Sequence, residues 1–176
     1  MASRRTFLKA GAGASLVLAL GGGMYRAIQS TRPAPLRQPF ALAGEARAAL
    51  AAIVPVVHEG ALPAGAGNDA ARAAVIDDVH RAIRGLPLAT QKEVQDLFGL
   101  LAMAPGRRVL TGIAGPWAGA SPAAVHAFLQ DWRTSQFGLL RAGYAALHDL
   151  VLSAWYAAPG SWDAIGYPGP PLVAAP

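Results

Sequence analysis

The apolar positions of this chain recur at helical spacing over most of its length. Between residues 43 and 57, Ala46, Leu50, Ile53 and Val57 share one face, which predicts a first helix with Pro55 placed to close or bend it near its end. Leu62-Pro63-Ala64-Gly65-Ala66-Gly67 breaks the pattern and leads to Asn68 or Asp69, either of which suits the N-cap of a second helix reaching Arg84. There Val75, Val79 and Ile83 repeat at every fourth residue with Ile76 beside them, and Gly85 marks the close. A third helix is predicted over residues 89–103, on Val94, Leu97, Phe98 and Leu101.

Residues 105–120 hold four glycines and two prolines and are expected as loop, with one short turn at 107–110. Ser121-Pro122 is a helix start, a cap followed by proline at the first position, and Val125, Phe128, Leu129 and Trp132 form the stripe behind it. The longest helix is predicted over residues 136–157 on Leu140, Tyr144, Leu147, Val151 and Ala154, either continuous with its predecessor or kinked near Ser135. No segment alternates with the period of a strand and no internal repeat is present. The fold class is therefore all-α: a single small bundle of four to six helices over residues 41–158.

Two segments fall outside that pattern. At the carboxy end, residues 159–176 form an extended proline-, glycine- and aromatic-rich tail that cannot build a core of its own. Large side chains spaced along such a backbone suit either anchoring to another surface or folding back on the domain's own helices. The candidate contact residues are Trp155, Tyr156, Trp162, Ile165, Tyr167 and Pro168.

At the amino end, Ser3-Arg4-Arg5-Thr6-Phe7-Leu8-Lys9 precedes a moderately apolar stretch that ends near Met24. Arg4, Arg5, Phe7, Leu8 and Lys9 read as a twin-arginine export signal, an address for proteins that cross a membrane already folded. Its apolar part is about fifteen residues, short of the roughly twenty that a spanning helix needs. The signal segment is assigned to residues 1–27 and an extended linker to 28–40. No clean small-residue cleavage site is visible, and an uncleaved leader would serve as a loose membrane anchor. The expected location is the periplasm, with the twin-arginine translocase as a partner.

Charge changes little once the leader is set apart. The chain is formally +5, but six of its 15 basic residues precede the first acid, so residues 38–176 carry nine bases against 10 acids. A basic face for nucleic acid is excluded on that balance. The chain has no cysteine, which excludes disulfides, thiolate metal sites, covalent haem attachment and a cysteine nucleophile.

Catalytic and metal signals are thin. Of His58, His80, His126 and His148, only His80 has a carboxylate three residues before it, Asp77, where a dimetal bundle needs two such motifs and further carboxylates. Asp77 is expected on a solvated face as an i, i+4 partner of Arg81. His58 ends the first helix, where it can serve the terminal carbonyls, and His148 follows Tyr144 by one turn as a boundary histidine. Arg107-Arg108 reads as a surface pair, Ser161 has no neighbouring base, and Gly11-Ala12-Gly13 lacks the third glycine of a nucleotide loop. No catalytic, metal or cofactor-binding residue is assigned.

The leader, the small helical body and the ending Trp155-Tyr156-Ala157-Ala158-Pro159-Gly160-Ser161-Trp162-Asp163-Ala164-Ile165-Gly166-Tyr167-Pro168-Gly169-Pro170-Pro171 together resemble the gluconate 2-dehydrogenase subunit 3 family. The resemblance covers the leader and residues 140–171. It implies a non-catalytic accessory subunit of an exported, FAD-dependent dehydrogenase of the glucose–methanol–choline type. The large subunit would hold the FAD, and a multihaem c-type cytochrome accepts the electrons in many such complexes. On this expectation the chain assists the flavoprotein's maturation and export and carries no cofactor itself. The competing expectation is a stand-alone periplasmic protein that binds an apolar small ligand between its helices, with the tail as a lid.

Overall fold

The computed structural model describes residues 40–63, 65–162 and 165–169. Among them are six α-helices, two short 3-10 turns and no strand: α1 (Gly44–Val57), α2 (Gly67–Gly85), α3 (Leu88–Ala102), α4 (Ala104–Thr111), α5 (Pro122–Arg133) and α6 (Gly138–Ala157). The 3-10 turns are Trp117–Gly119 and Pro159–Ser161. The residues of the export signal, Arg4, Arg5, Phe7, Leu8 and Lys9, lie outside the described residues. No described helix is long and apolar enough to cross a membrane.

The bundle is organised around α1, which packs against α2, α3, α5 and α6 and against the Trp117 turn. Ala49, Leu50, Ile53 and Val54 are wholly enclosed, while Ala46 and Val57, expected on the same face, sit half-buried at its rim. Phe40 and Leu42, just ahead of α1, are also core residues, with Phe40 tilted against Phe98 and the His80 ring.

Proline at position 55 does not end α1; the helix runs two residues past it. A proline lacks the N–H that would reach back four residues, and its ring crowds the carbonyl there. That carbonyl, Ala51 O, instead accepts a hydrogen bond at 3.0 Å from the Arg72 guanidinium of α2. A side chain from the neighbouring helix thus supplies the donor that the proline removed.

The stripe Val75, Ile76, Val79 and Ile83 of α2 is buried as expected, but both of its ends differ from the sequence pattern. Helix α2 starts at Gly67, and Asn68 donates its side-chain amide to Pro63 O rather than accepting from the helix; Asp69 sits in the first turn beside Arg72. Gly85 is the last helical residue and takes no left-handed conformation; the chain leaves through an extended Leu86. The buried Gln91 amide of α3 closes this end by donating to Arg84 O at 3.1 Å and Leu86 O at 2.8 Å. A cap supplied from the next helix leaves no local signature in the sequence.

The largest departure concerns residues 105–120, expected as loop. Residues 104–111 form the helix α4, in which Pro105 occupies a first-turn position that needs no N–H donor. Gly106 is required there by close approach, since a Cβ would lie 2.5 Å from Leu100 O, and Gly112 closes α4 at φ 72°. Arg107 is not a surface residue as expected but is 5% exposed, and its guanidinium meets the Glu45 carboxylate of α1 at 2.7 Å. The same Glu45 oxygen accepts the backbone N–H of Trp117 at 3.3 Å. Trp117 is 1% exposed, donates its indole N–H to Leu101 O at 2.8 Å and meets the Phe128 ring edge-on. The glycine- and proline-rich stretch is therefore a core wall.

Helix α5 begins as expected, with Ser121 Oγ accepting from Ala124 N, and buries Val125, Phe128, Leu129 and Trp132. It is separate from α6. Trp132 donates to Leu110 O at 2.7 Å and lies against Gly143, where a Cβ would come 2.7 Å from its ring. Helix α6 buries Leu147, Val151 and Ala154, with Leu140 and Tyr144 half-buried.

Candidate functional site

The six residues expected to meet a partner divide by role at the carboxy end of α6. The chain leaves α6 at Ala158 and winds through successive turns rather than running free. Ser161 is 1% exposed, and its hydroxyl lies 2.8 Å from Trp155 O and 2.9 Å from Ala158 O, serving carbonyls at the end of the helix. The Trp162 indole N–H then reaches back to Tyr156 O at 2.9 Å. Backbone N–H groups of Ile165 and Tyr167 both bond to Trp162 O, and the Tyr167 ring stands edge-on to the Trp162 indole at 5.3 Å. Gly169, at φ 90°, lies close to the same indole, where a Cβ would sit 3.1 Å away.

Trp155 and Trp162 are half-buried braces of this hook, whereas Tyr156, Ile165 and Tyr167 are 48%, 52% and 43% exposed and Pro168 is exposed beside them. Two indoles fold inward, and three large side chains, Tyr156, Ile165 and Tyr167, are left exposed.

The base of the hook rests on α1. The Trp155 ring lies 5.1 Å from that of His58, tilted by 54°. His58 follows the last residue of α1 and bonds through Nδ1 to Val54 O at 3.1 Å, as expected of a histidine at a helix end. It is only 3% exposed, and its Nε2 has no hydrogen-bond partner among the described residues. Burial pushes its pKa below the ordinary imidazole value; the bond to Val54 O acts in the opposite sense, and the neighbouring His148 adds to the lowering. His148 is itself stacked on Tyr144 at 5.4 Å and lies 3.4 Å from the Asp149 carboxylate. This grouping of His58, Tyr144, His148 and Trp155 is invisible in the sequence, where α1 and α6 are about a hundred residues apart and only the register of each face hints at it.

The other histidines have local roles. His80 is half-buried and shares a 3.2 Å contact with Phe40 O, and His126 is exposed. Asp77 does not pair with Arg81 as expected; it meets Arg47 of α1 at 2.8 Å, while Arg81 turns to Asp78 at 2.5 Å. The cross-helix partner wins because α1 brings a guanidinium within direct reach of the carboxylate. No group of three or more histidine, aspartate and glutamate side chains gathers among the described residues. Comparison with protein-family models, with curated proteins and with solved structures gives no match to this chain.

Proposed function

We propose that this chain is a non-catalytic accessory subunit that binds a FAD-dependent dehydrogenase large subunit and assists its maturation and twin-arginine export to the periplasm. The observation that carries the reading is the hook: Tyr156, Ile165 and Tyr167 are left in water on a backbone that is already braced. Ordering a peptide on binding costs conformational entropy, and a pre-folded element avoids much of that cost. Exposed aromatic side chains on a fixed frame are what a partner-facing hot spot requires. The paired arginines Arg4 and Arg5 support the export part, and the resemblance of residues 140–171 supports the nature of the partner, which would carry the FAD and pass electrons to a c-type cytochrome.

The test is purification of the carboxy-terminally tagged full chain from the periplasm of its native host, with mass analysis and an absorption spectrum. A stoichiometric flavoprotein bearing a flavin band is the expected companion. Combined replacement Tyr156→Ala, Ile165→Ser and Tyr167→Ala should release it with helical circular dichroism unchanged. Arg4→Lys with Arg5→Lys should hold both proteins in the cytoplasm. A colourless, solitary protein from the periplasm would overturn the permanent-subunit reading.

A further inference from the structure

We propose that His58 is an acid-released latch, holding the last turn of α6 and the hook it carries against the end of α1. This stands on the fold alone and holds whatever the hook binds.

The geometry places an enclosed titratable ring at the joint. His58 is enclosed, is fixed to Val54 O through Nδ1, and touches α6 through the Trp155 indole. Donation from Nδ1 makes the neutral ring a tautomer whose Nε2 is a bare acceptor, and that atom has no partner among the described residues. Protonation would place a positive charge and a new N–H donor at this same enclosed atom.

One feature favours the cation: the helix-end carbonyl of Val54. Two oppose it: burial, and the second imidazole of His148. Burial dominates, so the neutral ring is the form the folded joint prefers.

Among the described residues, the surrounding charges do not supply a counter-ion. His148 faces His58 from α6 and opposes a charge on it, with Asp149 at its own side. On the segment after His58, Glu59 is exposed and residues 60–66 are all non-ionisable. From α2, Arg72 with Asp69 meets α1 at Ala51, and Asp77 meets it at Arg47, both well before His58. From α4, Arg107 is held at the opposite end by Glu45. On α3, Lys92 and Asp96 pair with each other and Glu93 is exposed; on α5, His126, Asp131 and Arg133 are exposed.

A protonated His58 therefore gains hydration only by leaving its position, and the group it leaves is Trp155. Trp155 O accepts Ser161 Oγ and the Ala158 N–H, and the adjacent Tyr156 O accepts the Trp162 indole. Displacement of that last turn loosens all three bonds at once. The latch is closed above the ordinary histidine pKa of about 6.5 and opens as the pH falls below it.

The test follows the four indole N–H protons of the full chain by NMR hydrogen exchange from about pH 7.5 to about pH 5.0. The Trp162 indole proton should lose at least about tenfold in protection, after correction for the intrinsic rate, while those of Trp117 and Trp132 keep theirs. In His58→Asn, whose amide can still donate to Val54 O but cannot titrate, the Trp162 profile should be flat. In His148→Asn the opening should move to higher pH, because one opposing charge is gone. Should His58→Asn fail to fold, the imidazole titration of His58 in the unmodified chain must share its midpoint with the loss of Trp162 protection. An identical Trp162 profile in His58→Asn, or a titrating His58 with Trp162 protection unchanged, would overturn the proposal.

Discussion

Exchange of a backbone donor for a side-chain donor at Pro55 gives a prediction whose size can be worked from the structure. Arg72 bonds to the Ala51 carbonyl at 3.0 Å, and its side chain is 33% exposed, with a weak 3.6 Å approach to the almost fully exposed Asp69. Hydrogen bonds to charged donors contribute about 1.5–3 kcal/mol when buried. Partial exposure lowers that to about 1–2 kcal/mol, and the Asp69 pair adds at most a few tenths. Arg72→Met keeps the apolar stem and removes only the donor, so it should cost about 1–2 kcal/mol, or roughly 3–6 °C in Tm for a domain of this size. Pro55→Ala restores an N–H that can reach Ala51 O along the helix, and in that background Arg72→Met should cost about half a kcal/mol or less. The predicted coupling is then about 1 kcal/mol, above the 0.3–0.5 kcal/mol or so within which independent sites add. Urea denaturation followed by circular dichroism on the four proteins of the cycle measures it. Additive costs would show that the arginine does not stand in for the missing amide.

Four further outcomes are expected. Glu45→Ala should cost about 2–3 kcal/mol and Arg107→Met clearly less, because the first strands an enclosed guanidinium while the second leaves a carboxylate that is 39% exposed and free to turn to water; equilibrium denaturation with the reverse order would contradict the pairing. Gly143→Ala should destabilise by about 1–3 kcal/mol despite the better helix propensity of alanine, since Trp132 is pinned to Leu110 O and cannot withdraw, and a raised Tm would refute this. Thermal stability should fall on acidification from about pH 6.5, because the unfolded chain binds a proton at position 58 more readily than the folded one; the loss is complete only below the lowered folded pKa, and His58→Gln should flatten that part of the Tm profile. Ser161→Ala should leave global stability within about 1 kcal/mol while raising amide exchange at Ile165 and Tyr167, and unchanged exchange there would remove the serine from the hook.

Where a segment's structure follows from its own residues, the sequence displayed it. The stripes of α2, α3 and α5 turn inward because their spacing leaves no other face to bury, and Ser121-Pro122 starts α5 because cap and proline act within one turn. The failures share a physical form: each depends on a donor or acceptor from elsewhere in the chain. Gln91 caps α2 from α3, Arg72 repairs α1 from α2, and Glu45 draws in Arg107 and Trp117 from a stretch whose glycines and prolines resemble a loop. At the candidate site, the aromatic residues were legible as a group, but their division into braces and exposed groups was not. That division depends on where the indole of Trp162 finds an acceptor.

The hook also bears on how a chain without disulfides can keep an apolar surface ready for use. Exposed aromatics on a loose tail would tend to collapse onto the nearest apolar face, and every such collapse would compete with a partner. Here part of that competition is met locally: Trp162 packs against Tyr167 and Gly169, and Ser161 holds the helix end, while Tyr156 and Ile165 stay exposed. The tether at His58 adds a second constraint, because it sets the position of Trp155 from α1 rather than from the tail itself. An element braced at one end by its own turns and at the other by the bundle can present the same surface before and after it meets a partner. On this reasoning Trp162→Ala should weaken partner binding more than Tyr156→Ala although Tyr156 is the more exposed of the two, since the tryptophan sets the positions of several groups and the tyrosine contributes only its own.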